Sequence, residues 1–271
     1  MTDTFGSMSQ ELEMNSAALS AAKLQLRSLM KQRLANLSQE TILSQNPWLT
    51  FHLGNKVFDS LCKFKPYVDA KRVAVYLSMP GGEIQTDPIV RHALSSGKQV
   101  FVPYLHKSGL QPSDGPTRLM DMVSLKDVED YESLKRDRWG IPSVDASTIH
   151  ERKRSVGELD GERSEDVSLD LILMPGVAFD VDPQSKAIRR LGHGKGFYDY
   201  FLHRYALAAS PEEKTRNGRP AVLLYALALK EQFLSPSSGE SVPVGPHDQP
   251  IDGLFLGDGQ IKESANNGDA N

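Results

Sequence analysis

A single cysteine, Cys62, stands in a chain of 271 residues. That scarcity excludes an internal disulfide framework and any zinc site built from several thiolates. The neighbours Leu61, Lys63 and Phe64 bring no group that would activate the thiol, so Cys62 reads as an ordinary packed cysteine. Nowhere does the chain approach the ~20 consecutive apolar residues that a bilayer-spanning helix needs. It also lacks an excess of either charge: 31 Lys and Arg face 35 Asp and Glu, a formal net charge of −4. No whole-molecule field therefore favours nucleic acid or an anionic membrane, and neither is expected as a partner. The N-terminal segment has no apolar h-region and carries Asp3, Glu11 and Glu13, which fits neither a secretory signal nor an acid-poor transit peptide; a cytoplasmic location is expected. What remains is ordinary soluble composition, 39% hydrophobic and 24% charged, with enough length for a sizeable core.

From Ser16 the pattern becomes helical. Leu19, Leu26, Met30, Leu34 and Leu37 fall on one side of a 3.6-residue helix, and Lys23, Arg27 and Lys31 border that face at intervals of four. On spacing alone this basic stripe reads as a solvated edge. Arg72–Met79 reads as a strand, Pro80-Gly81-Gly82 as a breaker, and Thr86-Asp87-Pro88 as the N-cap and first turn of a helix that stops at Gly97. Gln99–Pro103 is a second strand, which completes a βαβ unit. The pattern returns with an apolar strand at Leu169–Met174, a Gly-rich loop, a helix over Phe197–Ala209 and a strand at Ala221–Leu229. Continuous apolar runs suit a sheet covered on both faces. The expectation is an α/β fold: three layers, with a mostly parallel, Rossmann-like open sheet between helices, in a single domain over 16–260.

In 151–166 ten of sixteen residues are charged, with signs mixed and no apolar period, so 150–168 reads as a charged surface insertion or disordered loop. Ser235–Ser241 is a smaller excursion. Residues 1–15 and 261–271 are polar and expected to be disordered.

The most informative stretch is Arg189-Arg190-Leu191-Gly192-His193-Gly194-Lys195-Gly196-Phe197-Tyr198-Asp199. Glycines at alternate positions let the backbone turn tightly and present successive N–H groups, an anion-binding concavity that the following helix N-terminus reinforces. Arg190, His193 and Lys195 add cationic side chains, and Asp199 lies in the first helical turn. Lys195 is followed by Gly196, so this is not a Walker A loop, and the glycine spacing is not that of the dinucleotide fingerprint. The residue types suit a phosphate-binding loop beside a magnesium carboxylate; a flexible turn with solvated basic residues is the alternative. Glu83 follows a strand end, where open α/β sheets bind ligands, or is an exposed loop carboxylate. Asp248 and Asp252 read as turn chemistry in a proline-bounded segment, and His247 beside Asp248 as a weak metal pair. Tyr198 and Trp139 are aromatic enough to stack on a flat ligand or to fill the core.

Tyr76 through Thr86, Trp139-Gly140-Ile141-Pro142, Met174 through Asp180 and Arg190 through Asp199 together resemble, in order, the signature blocks of the 5-formyltetrahydrofolate cyclo-ligase family, also called methenyltetrahydrofolate synthetases. The resemblance spans about Ser16 to Leu256. It implies ATP- and magnesium-dependent conversion of 5-formyltetrahydrofolate, in some cases polyglutamated, to 5,10-methenyltetrahydrofolate. It places Lys23, Arg27, Arg190, Gly192, His193, Gly194, Lys195, Gly196, Phe197 and Tyr198 around ATP, with Lys195 and Tyr198 at the reacting groups. By the same resemblance Asp199 and Asp248 hold magnesium, and Leu77, Met79, Glu83, Trp139 and Tyr198 contact the folate. A monomer is expected. Two positions depart from the family pattern: His193 replaces a basic residue, usually arginine, and Phe197 stands where tyrosine is frequent. A sugar-phosphate isomerase or phosphosugar-binding domain of similar architecture is the competing reading, and a non-catalytic nucleotide or folate binder is a third.

Overall fold

The computed structural model describes residues 3–38, 41, 44–45, 56–109, 115–156, 168–208 and 222–265, with side chains from Asn15 onward. Helix α1 (Asp3–Ala35) starts earlier than the apolar repeat. Residues 3–15, expected to be disordered, continue the helix; they contain no proline, and Gln10 to Met14 are good helix formers. Leu26 and Met30 are buried as the repeat requires, packing with Ala178, Leu191, Leu234 and Val242.

Two short helices, α2 (Lys56–Lys63) and α3 (Lys65–Asp69), lead into strand β1 (Arg72–Val75). The expected strand to Met79 ends four residues early. Tyr76 N still donates to Leu173 O at 3.3 Å, but its carbonyl accepts from Thr86 Oγ1 at 2.7 Å and its hydroxyl donates to Ile84 O at 2.7 Å, which folds 76–86 onto itself. Thr86 does precede helix α4 (Asp87–Ser95), but its hydroxyl is spent on Tyr76 and caps no helical N–H. Strand β2 (Gln99–Lys107) then runs parallel to β1, with Val73 opposite Val100.

Strand β3 (Arg118–Ser124) returns antiparallel to β2. Helix α5 (Val128–Glu132) and a small hairpin of β4 (Lys135–Arg136) and β5 (Pro142–Ser143) follow. The start of the charged stretch is docked rather than loose. Arg152 is buried and holds both oxygens of Asp130 at 2.7 Å, and Val156 enters the core. Charge density resembled solvation here because the matching carboxylate lies 22 residues away; 157–167 fall outside the described residues.

Strand β6 (Leu171–Met174) is wholly buried. A hairpin of β7 (Ala178–Val181) and β8 (Ile188–Leu191) feeds the Gly-rich loop and helix α6 (Phe197–Ala208). Strands β9 (Leu223–Ala228) and β10 (Gly253–Leu256) follow, and β11 (Ile261–Glu263) pairs antiparallel with β10. The stretch from 261, expected to be disordered, is thus partly a strand. Ser264 anchors it, accepting from Ile188 N at 2.9 Å and donating to Ile251 O at 2.8 Å.

The main sheet has the order β11-β10-β9-β6-β1-β2-β3, with parallel pairing from β10 through β2. Alternate residues feed two cores. Val73, Val75, Leu171 and Leu173 pack with α2 and α4, whereas Ala74, Ile172 and Met174 pack with Phe201, Leu202 and Tyr205 of α6. The three-layer α/β expectation therefore holds. From β1 the chain crosses to β2 on one side; β6, β9 and β10 extend the other. The switch point lies between the carboxyl ends of β1 and β6, where open sheets leave a crevice. At the far β3 edge Asp121, 1% exposed, takes Arg204 Nη1 and His106 Nε2 at 2.9 Å and Arg154 Nη1 at 3.5 Å. Cys62 is half-buried, and burial raises its thiol pKa. Among the described residues no helix is long and apolar enough to cross a membrane.

Candidate functional site

The Gly-rich loop sits at the switch point because β8 ends there. Gly194 (φ 92°) and Gly196 (φ 66°) adopt left-handed backbone conformations, and a Cβ on Gly194 would come within 3.1 Å of the Arg27 guanidinium. Arg27 Nε donates to Gly192 O at 2.8 Å, which clamps α1 onto the loop. Alternation along β8 sends its two arginines apart. Arg189 is taken by Asp180 and Asp182, and Asp180 also accepts from Val242 N at 2.8 Å. Arg190, whose side chain is 3% exposed, reaches Asp199 Oδ1 at 3.0 Å and Pro175 O at 3.2 Å and lies over the Tyr198 ring. Its buried Nε has no partner among the described residues. Lys195 is exposed and forms no hydrogen bond or ion pair with another described residue.

One helical turn before Arg27, Lys23 Nζ donates to both oxygens of Asp248 at 2.7 and 2.5 Å. Gly245 N holds Asp248 Oδ2 at 2.6 Å, and Gly245 itself lies against Leu19. Among the described residues no three His, Cys, Asp or Glu side chains cluster as a ready-made metal site. Magnesium, however, is commonly held by one or two carboxylates with substrate phosphates supplying further oxygens, so Asp199 and Asp248 are suitable donors.

Across the crevice, Glu83 is buried in the β1–α4 loop and accepts from Met79 N at 3.1 Å. Burial pushes its carboxyl pKa up to about 7, against the opposing effect of that N–H. His193 Nε2 approaches Glu83 Oε1 at 3.5 Å. Burial and the charges of Arg190 and Arg27 lower the imidazole pKa, which works against a positive charge on His193. Tyr198 packs against both cores, and burial with Glu83 nearby raises its hydroxyl pKa. Leu77 is buried, and Met79 O accepts from Gln85 Nε2 at 2.8 Å. Trp139 is 54% exposed under the Arg138 guanidinium; the next residue, Gly140 (φ 78°), abuts Pro80, which brings this loop to the Glu83 side of the crevice.

The structure thus gathers Arg27, Arg190, Gly192, His193, Gly194, Tyr198, Asp199 and Glu83, with the Lys23–Asp248 pair attached through α1. Lys31 is exposed, and the Phe197 ring packs with the α6 core. Asp252 belongs to the sheet, accepting from Leu224 N at 2.8 Å. Sequence reasoning missed Gln232, whose Nε2 donates to Gly176 O at 2.7 Å and fixes the turn after β6; one glutamine carries no sequence signal of such a role.

A cationic Gly-rich loop facing a buried carboxylate across the switch point defines a small-ligand-binding α/β protein. Residues 19–256 match the model of the 5-formyltetrahydrofolate cyclo-ligase family, and the chain belongs to that family and is an enzyme of it. It is 31% identical over 239 residues to a probable 5-formyltetrahydrofolate cyclo-ligase of Caenorhabditis elegans, covering 87% of this chain and 93% of the relative. Against 5-formyltetrahydrofolate cyclo-ligase of Mus musculus it is 30% identical over 246 residues, covering 90% and 98%. The NMR structure of Aquifex aeolicus 5,10-methenyltetrahydrofolate synthetase shares the fold, with a TM-score of 0.54, 22% identity and coverage of 90% and 93%.

Proposed function

We propose that the chain uses Mg-ATP to close 5-formyltetrahydrofolate to 5,10-methenyltetrahydrofolate, releasing ADP and phosphate. The observation that carries this reading is the meeting of two unlike half-sites: a cationic loop with an unpartnered buried Arg190 Nε, and a buried Glu83 carboxylate. Arg27, Arg190 and Lys195 suit the nucleotide phosphates, and Glu83 suits the N–H donors of a pterin ring, with Leu77, Met79 and Trp139 along its flat faces.

The formyl oxygen attacks the γ-phosphorus, its bond to the bridging oxygen breaks, and ADP departs. N10 of the same folate then attacks the formyl carbon, gives up its proton, and expels phosphate from that carbon. No protein nucleophile is needed, and the ring closure gains from proximity. The residues' task is positioning and charge stabilisation. Lys195, uncommitted in the ligand-free chain, stabilises charge on the transferring phosphoryl group, and Tyr198 separates nucleotide from folate. Magnesium held by Asp199 and Asp248 would neutralise phosphate charge, and phosphate oxygens would then replace those carboxylates as partners of Arg190 and Lys23.

The test mixes purified protein, 5-formyltetrahydrofolate and Mg-ATP and follows methenyl product by absorbance. Product formation that requires ATP is expected; folded protein that makes none beside an active control enzyme overturns the proposal. Thermal shifts separate the competing reading, because a ligand that binds only the folded state raises its apparent stability. Mg-ATP should raise the melting temperature and sugar phosphates should not.

A further inference from the structure

We propose that His193 is a positioning residue that ties the Gly-rich loop to Glu83, so that nucleotide held by the loop strengthens folate binding across the crevice. The inference rests on the proposed function and assigns His193 a task other than phosphate contact. Its Nε2 points at the one buried carboxylate of the opposite half-site, 3.5 Å from Oε1, while Met79 N holds Oε2. Arg27 and Arg190 disfavour a third positive charge at the imidazole, and its Nε2 lies within reach of one hydrogen bond shared with the Glu83 carboxyl group.

Glycines flank His193 on both sides, and its side chain is 46% exposed. Among the described residues, the hydrogen bond from Arg27 to this loop goes to the Gly192 carbonyl. Phosphates bound to Arg27, Arg190 and the loop N–H groups would fix the backbone through His193 and shorten its loose approach to Glu83. The ordering entropy is then already spent when folate arrives, and folate meets Glu83 in its binding orientation. By linkage, folate strengthens nucleotide binding by the same factor.

The experiment measures 5-formyltetrahydrofolate affinity with and without a non-hydrolysable Mg-ATP analogue, in the wild-type chain, His193→Ala and His193→Gln. Nucleotide should tighten wild-type folate binding by about fivefold or more. His193→Ala should bring the ratio to about one, and His193→Gln, which keeps an N–H donor near the position of Nε2, should retain most of it. A wild-type chain that binds both ligands independently, or a ratio unchanged in His193→Ala, overturns the link alone. Wild-type protein that binds neither ligand overturns the proposed function and this inference with it.

Discussion

Two clusters of charge touch helix α6, one at Asp199 in its first turn and one at Arg204 further along, and they differ in completeness. At the β3 edge Asp121 is surrounded by Arg204, His106 and Arg154, and its carboxylate faces a positive group on each side. At the Gly-rich loop Arg190 keeps a buried Nε without a partner, Lys195 stands apart, and Glu83 is buried beside an imidazole at a loose distance. A saturated network holds a fold together. The buried Arg190 Nε bears a desolvation cost that a ligand can offset.

Breaking the saturated cluster should have the largest effect. Asp121→Ala leaves Arg204 buried without its carboxylate and should cost about 3–5 kcal/mol in denaturant unfolding; a loss below about 1 kcal/mol would show the cluster to be ornamental. Glu83→Gln should act in the opposite direction. With a folded pKa of about 7 against an ordinary 4.5, Glu83 favours the protonated folded state. Its burial costs nothing below the unfolded value, where both states are protonated, and the cost grows as pH rises from there through 7. The variant should therefore be more stable than wild type at pH 8, by up to about 3 kcal/mol, with the gain gone near pH 4. It should also bind folate more weakly; equal pH profiles for the two proteins would refute the burial argument. Lys195→Ala should leave unfolding unchanged, since the side chain is exposed, and lower turnover by ~10²-fold. A near-wild-type rate would remove Lys195 from the reaction.

The legible parts of this molecule are those whose partners lie close in sequence. The β1–α4–β2 unit, the apolar face of α1 and the anion-binding character of the Gly-rich loop all follow from local periodicity and glycine spacing. Strands β3 and β10 escaped because RLMDMVS and GLFL are too short or too mixed to declare a period. Arg152 and Arg154 looked solvated because their carboxylates, Asp130 and Asp121, lie 22 and 33 residues away. The same distance hid the site's organisation. The Lys23, Arg27 and Lys31 stripe is uniform in sequence, yet Lys23 and Arg27 meet the site whereas Lys31 faces solvent. His193 could be placed in the loop, but its meeting with Glu83 across 110 positions is a product of the fold alone.

The Lys23–Asp248 contact joins positions 225 residues apart, one near each end of the chain, and that separation has a consequence for synthesis. Translation proceeds from the N-terminus, so a growing chain can build β1, β2 and the Gly-rich loop long before Asp248 leaves the ribosome. Until then Lys23 lacks its carboxylate. Strands β10 and β11 also follow Asp248, so this contact and that edge of the main sheet are completed together.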